Sequence, residues 1–201
     1  VRIMRPNGKW LSLYYPEIVK SENVLQYLFG YHGINFMVTY EGDKRGFFGF
    51  DTSGTLNVTS DDRHLLRNTI TNQDGTSVMP TQFYCMAEDK DHQIWCGTNE
   101  GLFVITTPQN WFESDFHFHQ IKRNRNDGSG FADYLLAGVD VNAIAIDPSN
   151  SKWIGTLNDG VYLISHDGQK TIHHFTKENS PLLSNSIHGI AVHPYTGRVM
   201  F

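Results

Sequence analysis

The chain is short of several features that mark whole classes of protein. It has no uncharged apolar run approaching the roughly 18 residues that a membrane-spanning helix needs, and no signal segment opens it. Nothing in it is expected to span or target a membrane. Positive charge is not in excess: 16 Lys and Arg stand against 21 Asp and Glu, for a net charge of −5. No basic field exists to hold a phosphate backbone, so no nucleic acid is expected as a partner. Cysteine is nearly absent, with 2 in 201 residues. A chain of this length buries roughly 70% of its unfolded surface unaided, which excludes a disulfide-stapled miniprotein. Long amphipathic runs at helical spacing are missing too; at most, Ala132-Asp133-Tyr134-Leu135-Leu136 would make a turn or two inside a loop. There is no Gly-rich phosphate loop, no Gly-x-Ser-x-Gly elbow and no metal-binding motif, so neither cofactor nor metal is expected. The first residue is not Met, and Val1 and Phe201 both read as strand interior, which suggests a piece of a longer protein.

What the chain does have is an ordinary globular apolar content, 39% before its 18 glycines are added, and an internal repeat. Residues 141–157 (VNAIAIDPSNSKWIGTL) and 83–99 (FYCMAEDKDHQIWCGTN) superpose at one offset, 58 residues. That offset puts Trp153 on Trp95, Asp147 on Asp89, and Gly155-Thr156 on Gly97-Thr98. GVYLI at 160–164 follows as GLFVI does at 101–105. A further copy begins at 187–201, with His193-Pro194 on Asp147-Pro148, and the chain opens inside a copy, VRIMRPNG matching VYLISHDG. Each copy holds four short segments rich in Val, Ile, Tyr and Phe; in the last full one they are 139–146, 151–156, 160–165 and 170–175. Turn residues separate them: Asp147-Pro148 suits a type I turn, and Asn7-Gly8, Ser53-Gly54 and Asp167-Gly168 suit tight hairpins.

Four antiparallel strands per repeat of this length is a β-propeller blade. The fold expected is all-β: about four blades' worth of a propeller, an arc of a larger ring of seven or eight. The divisions expected are a half blade at 1–14, blades at 24–58, 82–122 and 139–175, and a half blade at 187–201. Open blade edges must be covered by neighbouring blades or another chain.

Function is sought where copies depart from the repeat. The 82–122 blade departs most, with inserted loops 106–115 and 123–138 around an outer strand at 116–122; the preceding blade has a long polar exit over 59–79. The strings IWCGTNEGLFVI and KWIGTLNDGVYLI resemble the two-component-regulator propeller repeat, found in periplasmic sensor portions of hybrid histidine kinases of Gram-negative bacteria. NDGSGFADYLL, KWIGTLNDGVYLISHDG and HHFTKENSPLLSNSIHGIAVHPYTGRVMF are similar, more narrowly, to PorZ-type propeller proteins of type IX secretion. The likeness is good over 83–201 and looser over 1–82, where Phe36-Met37-Val38-Thr39 replaces the Trp-Ile-Gly-Thr element. It implies an exported propeller, periplasmic or on the cell surface, that binds a ligand or partner without catalysis.

Three roles follow. The first is the input region of a two-component sensor, binding a glycan or similar ligand; the second is a PorZ-type accessory protein that docks proteins or polysaccharide. The third, a propeller hydrolase or lyase, lacks support. Sialidase repeats resemble Ser-x-Asp-x-Gly-x-x-Trp; Asp91-His92-Gln93-Ile94-Trp95 has an Asp and a Trp but neither the Gly nor the upstream Ser, and no converging pair of carboxylates is evident.

Trp95 and Trp153 share a repeat position and are expected to pack between blades. Trp111 has no counterpart, so it either anchors a ligand or partner or forms a small core within its own loop. Arg123, Arg125 and Asp133, with Asp127, offer charge-assisted contacts to an anionic or sugar ligand, or clamp their own loop. Ligands or partner proteins are expected at loops 106–115 and 123–138 through Trp111, Arg123, Arg125 and Asp133. His117 and His119 lie on one face of an expected strand, but two such residues do not make a metal site. Cys85 and Cys96 fall nearly opposite each other on consecutive strands, as buried thiols or as a bonded pair.

Overall fold

The computed structural model describes residues 1–18, 24–40, 42–125 and 127–201. Glu41, in the expected 24–58 blade, and Asn126, in the 123–138 insertion, lie outside them. The chain is an arc of β-propeller blades. β1 (Arg2–Met4) and β2 (Trp10–Ser12) form an antiparallel hairpin, the half blade that opens the arc. Counting it as blade 1, blade 2 has four antiparallel strands in chain order: β3 (Val24–Phe29), β4 (Asn35–Thr39), β5 (Gly46–Asp51) and β6 (Arg63–Arg67). Its fourth strand lies beyond residue 58, where the sequence suggested that the blade ends; only Leu65 and Leu66 break its run of polar residues, so it reads as loop. The rest of the exit forms a small hairpin, β7 (Ile70–Thr71) with β8 (Ser77–Val78).

Blade 3 has three regular strands, β9 (Phe83–Glu88), β10 (Ile94–Thr98) and β11 (Gly101–Ile105). Its outer strand, expected to be continuous over 116–122, is reduced to one pair, in which Val104 and His119 exchange backbone hydrogen bonds of 2.8 and 2.7 Å. The cause is competition from both sides. Phe118 N–H bonds back to Thr71 at 2.9 Å, and β12 (Lys122–Asn124) leaves the blade to pair with β13 (Ala132–Tyr134). The insertion read as loop is therefore built on a hairpin. Blade 4 is complete, with β14 (Val141–Ile146), β15 (Lys152–Thr156), β16 (Val161–Ile164) and β17 (Thr171–Phe175). β18 (Ala191–Val192) and β19 (Val199–Met200) begin blade 5.

The repeated Gly-Thr element has a physical reason in each half. Thr39, Thr98 and Thr156 are fully buried and donate their hydroxyls to the carbonyls of Gly46, Gly101 and Gly160, at 3.1, 3.1 and 3.0 Å. They close the turn between second and third strands in three successive blades. The preceding glycine lets the next blade come close: a Cβ on Gly97 would stand 2.3 Å from the carbonyl oxygen of Val141. Between blades the core is largely aromatic and aliphatic. Phe36, Phe47, Phe83 and Phe118 are fully buried, each contributing roughly 1.5–3 kcal/mol relative to an exposed ring.

Cys85 and Cys96 are free and buried. Cys85 pairs with Gly97 across the strands and Cys96 with Met86, so the two side chains project to opposite faces of the sheet. Burial pushes the Cys85 thiol up to about 12 and the Cys96 thiol well above its ordinary value. Among the described residues, no helix is long and apolar enough to cross a membrane.

Candidate functional site

The two insertions of blade 3 are the sequence's candidates for recognition, and each is fixed to a neighbouring blade. The first, 106–115, makes a short 3₁₀ turn at Pro108–Asn110 that carries Trp111 into the seam with blade 2. Trp111 is 0% exposed. Its ring lies over Gly49, where a Cβ would stand 2.4 Å from Nε1, and Nε1 donates to the Leu65 carbonyl at 3.3 Å. Phe36 meets the indole edge-on at 5.2 Å, and Phe118 does so at 6.0 Å. Arg67 seals the outside, donating from Nη2 to the Trp111 carbonyl at 2.7 Å while its guanidinium sits 4.4 Å from the Phe116 ring centre. The expectation of Trp111 as a ligand anchor is therefore corrected. Its ring is enclosed by protein, and the small core that it forms is shared with blade 2.

The second insertion is held from two sides. Lys122 Nζ donates to Asp74 at 2.7 Å and the Tyr134 hydroxyl donates to the same carboxylate, which reaches up from the β7–β8 turn. Those hydrogen bonds, Lys122 first, hold the Asp74 carboxyl below the usual carboxylate range. Behind them, Asn72 Nδ2 donates to Gln120 Oε1 at 2.8 Å, a buried contact, and Gln73 exchanges two bonds with the Gln120 backbone at 2.9 Å each. On the other side Arg123 reaches blade 4, donating to the Gly168 carbonyl from Nε at 2.8 Å and from Nη2 at 2.6 Å, and to the Thr171 hydroxyl at 2.7 Å. Arg125 and Asp133 form a bidentate pair at 2.8 and 2.5 Å with both side chains exposed.

The expected site residues thus do not converge on one pocket. Trp111 faces blade 2, Arg123 faces blade 4, and Arg125 and Asp133 face each other at the rim, beside an exposed Phe131 (65%). His117 is exposed, and among the described residues no group of three or more metal-ligating side chains exists.

The sequence reading missed a second polar assembly, in the seam between blades 3 and 4. Asp89 closes the first turn of blade 3 by accepting from the Asp91 and Gln93 amides at 2.9 and 3.0 Å. Its other oxygen accepts from Trp95 Nε1 at 2.9 Å and pairs with Lys152 Nζ at 3.0 Å, the two side chains being 1% and 0% exposed. Lys152 also donates to the His166 carbonyl at 2.5 Å and lies 4.7 Å from the Trp95 ring centre. Burial raises the Asp89 pKa, but the hydrogen bonds from Trp95, Lys152 and Gln93 outweigh it and hold the carboxyl below its ordinary value. Around this pair, Asn150 bridges the turns, accepting from the Lys90 amide at 3.0 Å and donating to Asp91 at 2.9 Å. The alignment of Asp147 with Asp89 and of Trp153 with Trp95 carried half of this signal: Trp153 Nε1 donates to Asp147 in the same way, at 3.3 Å.

Comparison with known proteins supports the repeat reading. Residues 77–100 match the two component regulator propeller family. No curated protein sequence matches significantly. Among solved structures, PorZ, described as an essential bacterial surface component of the type IX secretion system of Porphyromonas gingivalis, superposes over 94% of this chain with a TM-score of 0.83 and 28% identity. Extracellular domains of two putative hybrid two-component systems from B. thetaiotaomicron each superpose over 96%, with TM-scores of 0.62 and 0.61 at 23% and 14% identity. The chain spans about a quarter of each of these structures, covering 26%, 22% and 24% of them.

Proposed function

We propose that this arc is a recognition segment of an exported propeller, in the periplasm or on the surface of a Gram-negative bacterium, and that it works by docking and not by catalysis. The observation that carries the reading is the bracing of the β12–β13 hairpin. Blade 2 holds it through Asp74 and blade 4 through Gly168, so it presents Arg125, Phe131 and Asp133 on a backbone fixed in advance. A contact surface that is ordered before binding loses less conformational entropy when it is occupied. The exposed aromatic ring next to a charged pair suits a protein or polysaccharide surface better than a small ligand.

Between the two roles left by the sequence, the greater likeness to PorZ favours an accessory protein of the secretion type. A sensor input domain is the second reading, favoured by the two-component propeller match. Site-specific photo-crosslinking in intact cells separates them, with the crosslinker placed at Phe131 and, as a control, at Ile172 on the outer strand of blade 4. Adducts to other envelope proteins from position 131 alone support docking. Glycan binding by the purified protein without protein adducts supports the sensor. Equal adducts from both positions, or neither adducts nor glycan binding, would overturn the rim as the recognition surface.

A further inference from the structure

A polar recess of about 300 Å³ lies in the seam between blades 3 and 4, away from the exposed rim pair. Trp95 and Ile121 line it from blade 3, and the blade 4 turn contributes His166, Asp167 and Gln169. The recess exists because that turn is short. In blade 3 the same connection, between third and fourth strands, carries the 106–115 insertion and lays Trp111 across the seam behind it. The backbone pair beneath Trp111 is Gly49 with Leu65; its equivalent beneath the recess is Val104 with His119. One seam is plugged by an indole and the next is left open.

Two carboxylates, the imidazoles of His119 and His166, and three neutral polar side chains surround the opening. Asp91 receives one hydrogen bond on Oδ2 from Asn150, and Asp167 receives two on Oδ1, from the Ser165 hydroxyl at 2.6 Å and the Gln169 amide at 3.0 Å. The second oxygen of each carboxylate has no hydrogen-bond donor among the described residues. Gln93, Gln169 and Thr106 add neutral hydrogen-bonding groups at the wall. No Lys or Arg lines the recess; Lys152 is neutralised by Asp89, while Arg123, which donates to the neutral Gly168 carbonyl, keeps its charge and offsets part of that of Asp167. Burial, then the neighbouring His117, draws the His119 pKa down, so at neutral pH its ring is an uncharged hydrogen-bonding group. With two carboxylates in the lining and one guanidinium beside it, the opening keeps a net negative charge that favours a cation able to donate several hydrogen bonds over an anion. The wall is also stiff, since a Cβ on Gly168 would stand 2.2 Å from Ile121 Cδ1 and Arg123 grips the carbonyl of that same glycine.

We propose that this recess is a binding site for a small molecule bearing a protonated amine, held between the carboxylates of Asp91 and Asp167. The volume sits at the lower end of ligand pockets and suits a molecule the size of one sugar ring. The test is calorimetric titration of the 201-residue chain at pH 7 with glucosamine, glucose and glucuronate, which share a ring and differ in charge. Glucosamine is expected to bind saturably, glucose about tenfold or more weaker, and glucuronate not at all. D91N combined with D167N is expected to weaken glucosamine by about tenfold or more. T106W, which fills the recess with an indole from its blade 3 wall, is expected to abolish binding, with an unchanged melting profile showing that the fold is kept. Absence of saturable glucosamine binding, equal affinity for glucose, or an unchanged affinity in the double Asn variant would overturn the proposal. The titration involves no rim partner, so its failure would leave the docking reading standing.

Discussion

The two seams that flank blade 3 are built on the same backbone plan and joined by opposite chemistry. Between blades 3 and 4, a buried Asp89–Lys152 pair under Trp95 joins the blades. Between blades 2 and 3, both charges are gone together. The turn position of Asp89 is occupied by Gly30, which keeps the same closing bond (Gly30 N–H to Ile34 O, against Asp89 N–H to Gln93 O), and the strand position of Lys152 is occupied by Ile94. Phe36 stands for Trp95, and Trp111 fills the outer part of the seam. A buried charge is tolerable only with its counter-charge and hydrogen bonds in place. In these two seams, acid, cation and indole donor stand together in one, and an aromatic set replaces all three in the other.

The sharpest way to break this contrast is Asp89→Ala. It leaves Lys152 without a counter-charge and Trp95 without an acceptor, and is expected to destabilise the chain by about 3–5 kcal/mol in urea unfolding. Asp147→Ala, at the same repeat position but with no lysine paired to it among the described residues, is expected to cost about 1 kcal/mol. If the two variants unfold alike, the ion pair is not what distinguishes the seams. Converting the pair to the apolar type, Asp89→Leu with Lys152→Met, should recover most of the loss. The same pair sets a pH dependence. Because the Asp89 pKa is depressed in the folded chain, its contribution is fully present above the unfolded value of about 3.9 and lost as pH falls through the lower folded value. Urea midpoints should therefore fall more steeply below about pH 4 in the parent chain than in the Leu/Met variant.

The aromatic seam is best probed at Gly49. Gly49→Val drives a side chain into the Trp111 indole, at an expected cost of about 1–3 kcal/mol, and adding Trp111→Ala should give a total that is less than additive. Smaller still is Arg123→Ala, about 1 kcal/mol by thermal melting, because its guanidinium is only half buried. Arg125→Ala should leave the melting temperature within experimental scatter, since its pair with Asp133 is in solvent.

The propeller itself was legible because its repeat is local. Strand, turn and Gly-Thr element recur within a few residues of one another, and each has a local cause. The site was less legible because its residues answer to positions far along the chain. The aromatic Trp111 is conspicuous in its insertion, but the cavity that receives it was created by the absence of a side chain at Gly49, on another blade. Lys152 begins a strand like any polar residue there; that it is 0% exposed follows only once blade 3 is laid against it. The outer strand of blade 3 was misread for the same reason, since residues 118–124 satisfy their backbone partly outside their own blade.

The span of the β12–β13 hairpin bears on biogenesis. Its anchors are Asp74, behind it in the chain, and Gly168, which is 45 residues beyond Arg123. A ribosome delivers these in order, and domains of this kind fold as their parts emerge. The forward anchor is missing until the third turn of blade 4 has been synthesised and folded, so a nascent or prematurely terminated chain would carry the rim residues without their geometry. Until that turn exists, the β12–β13 hairpin is held from the Asp74 side alone, and its order depends on chain not yet made.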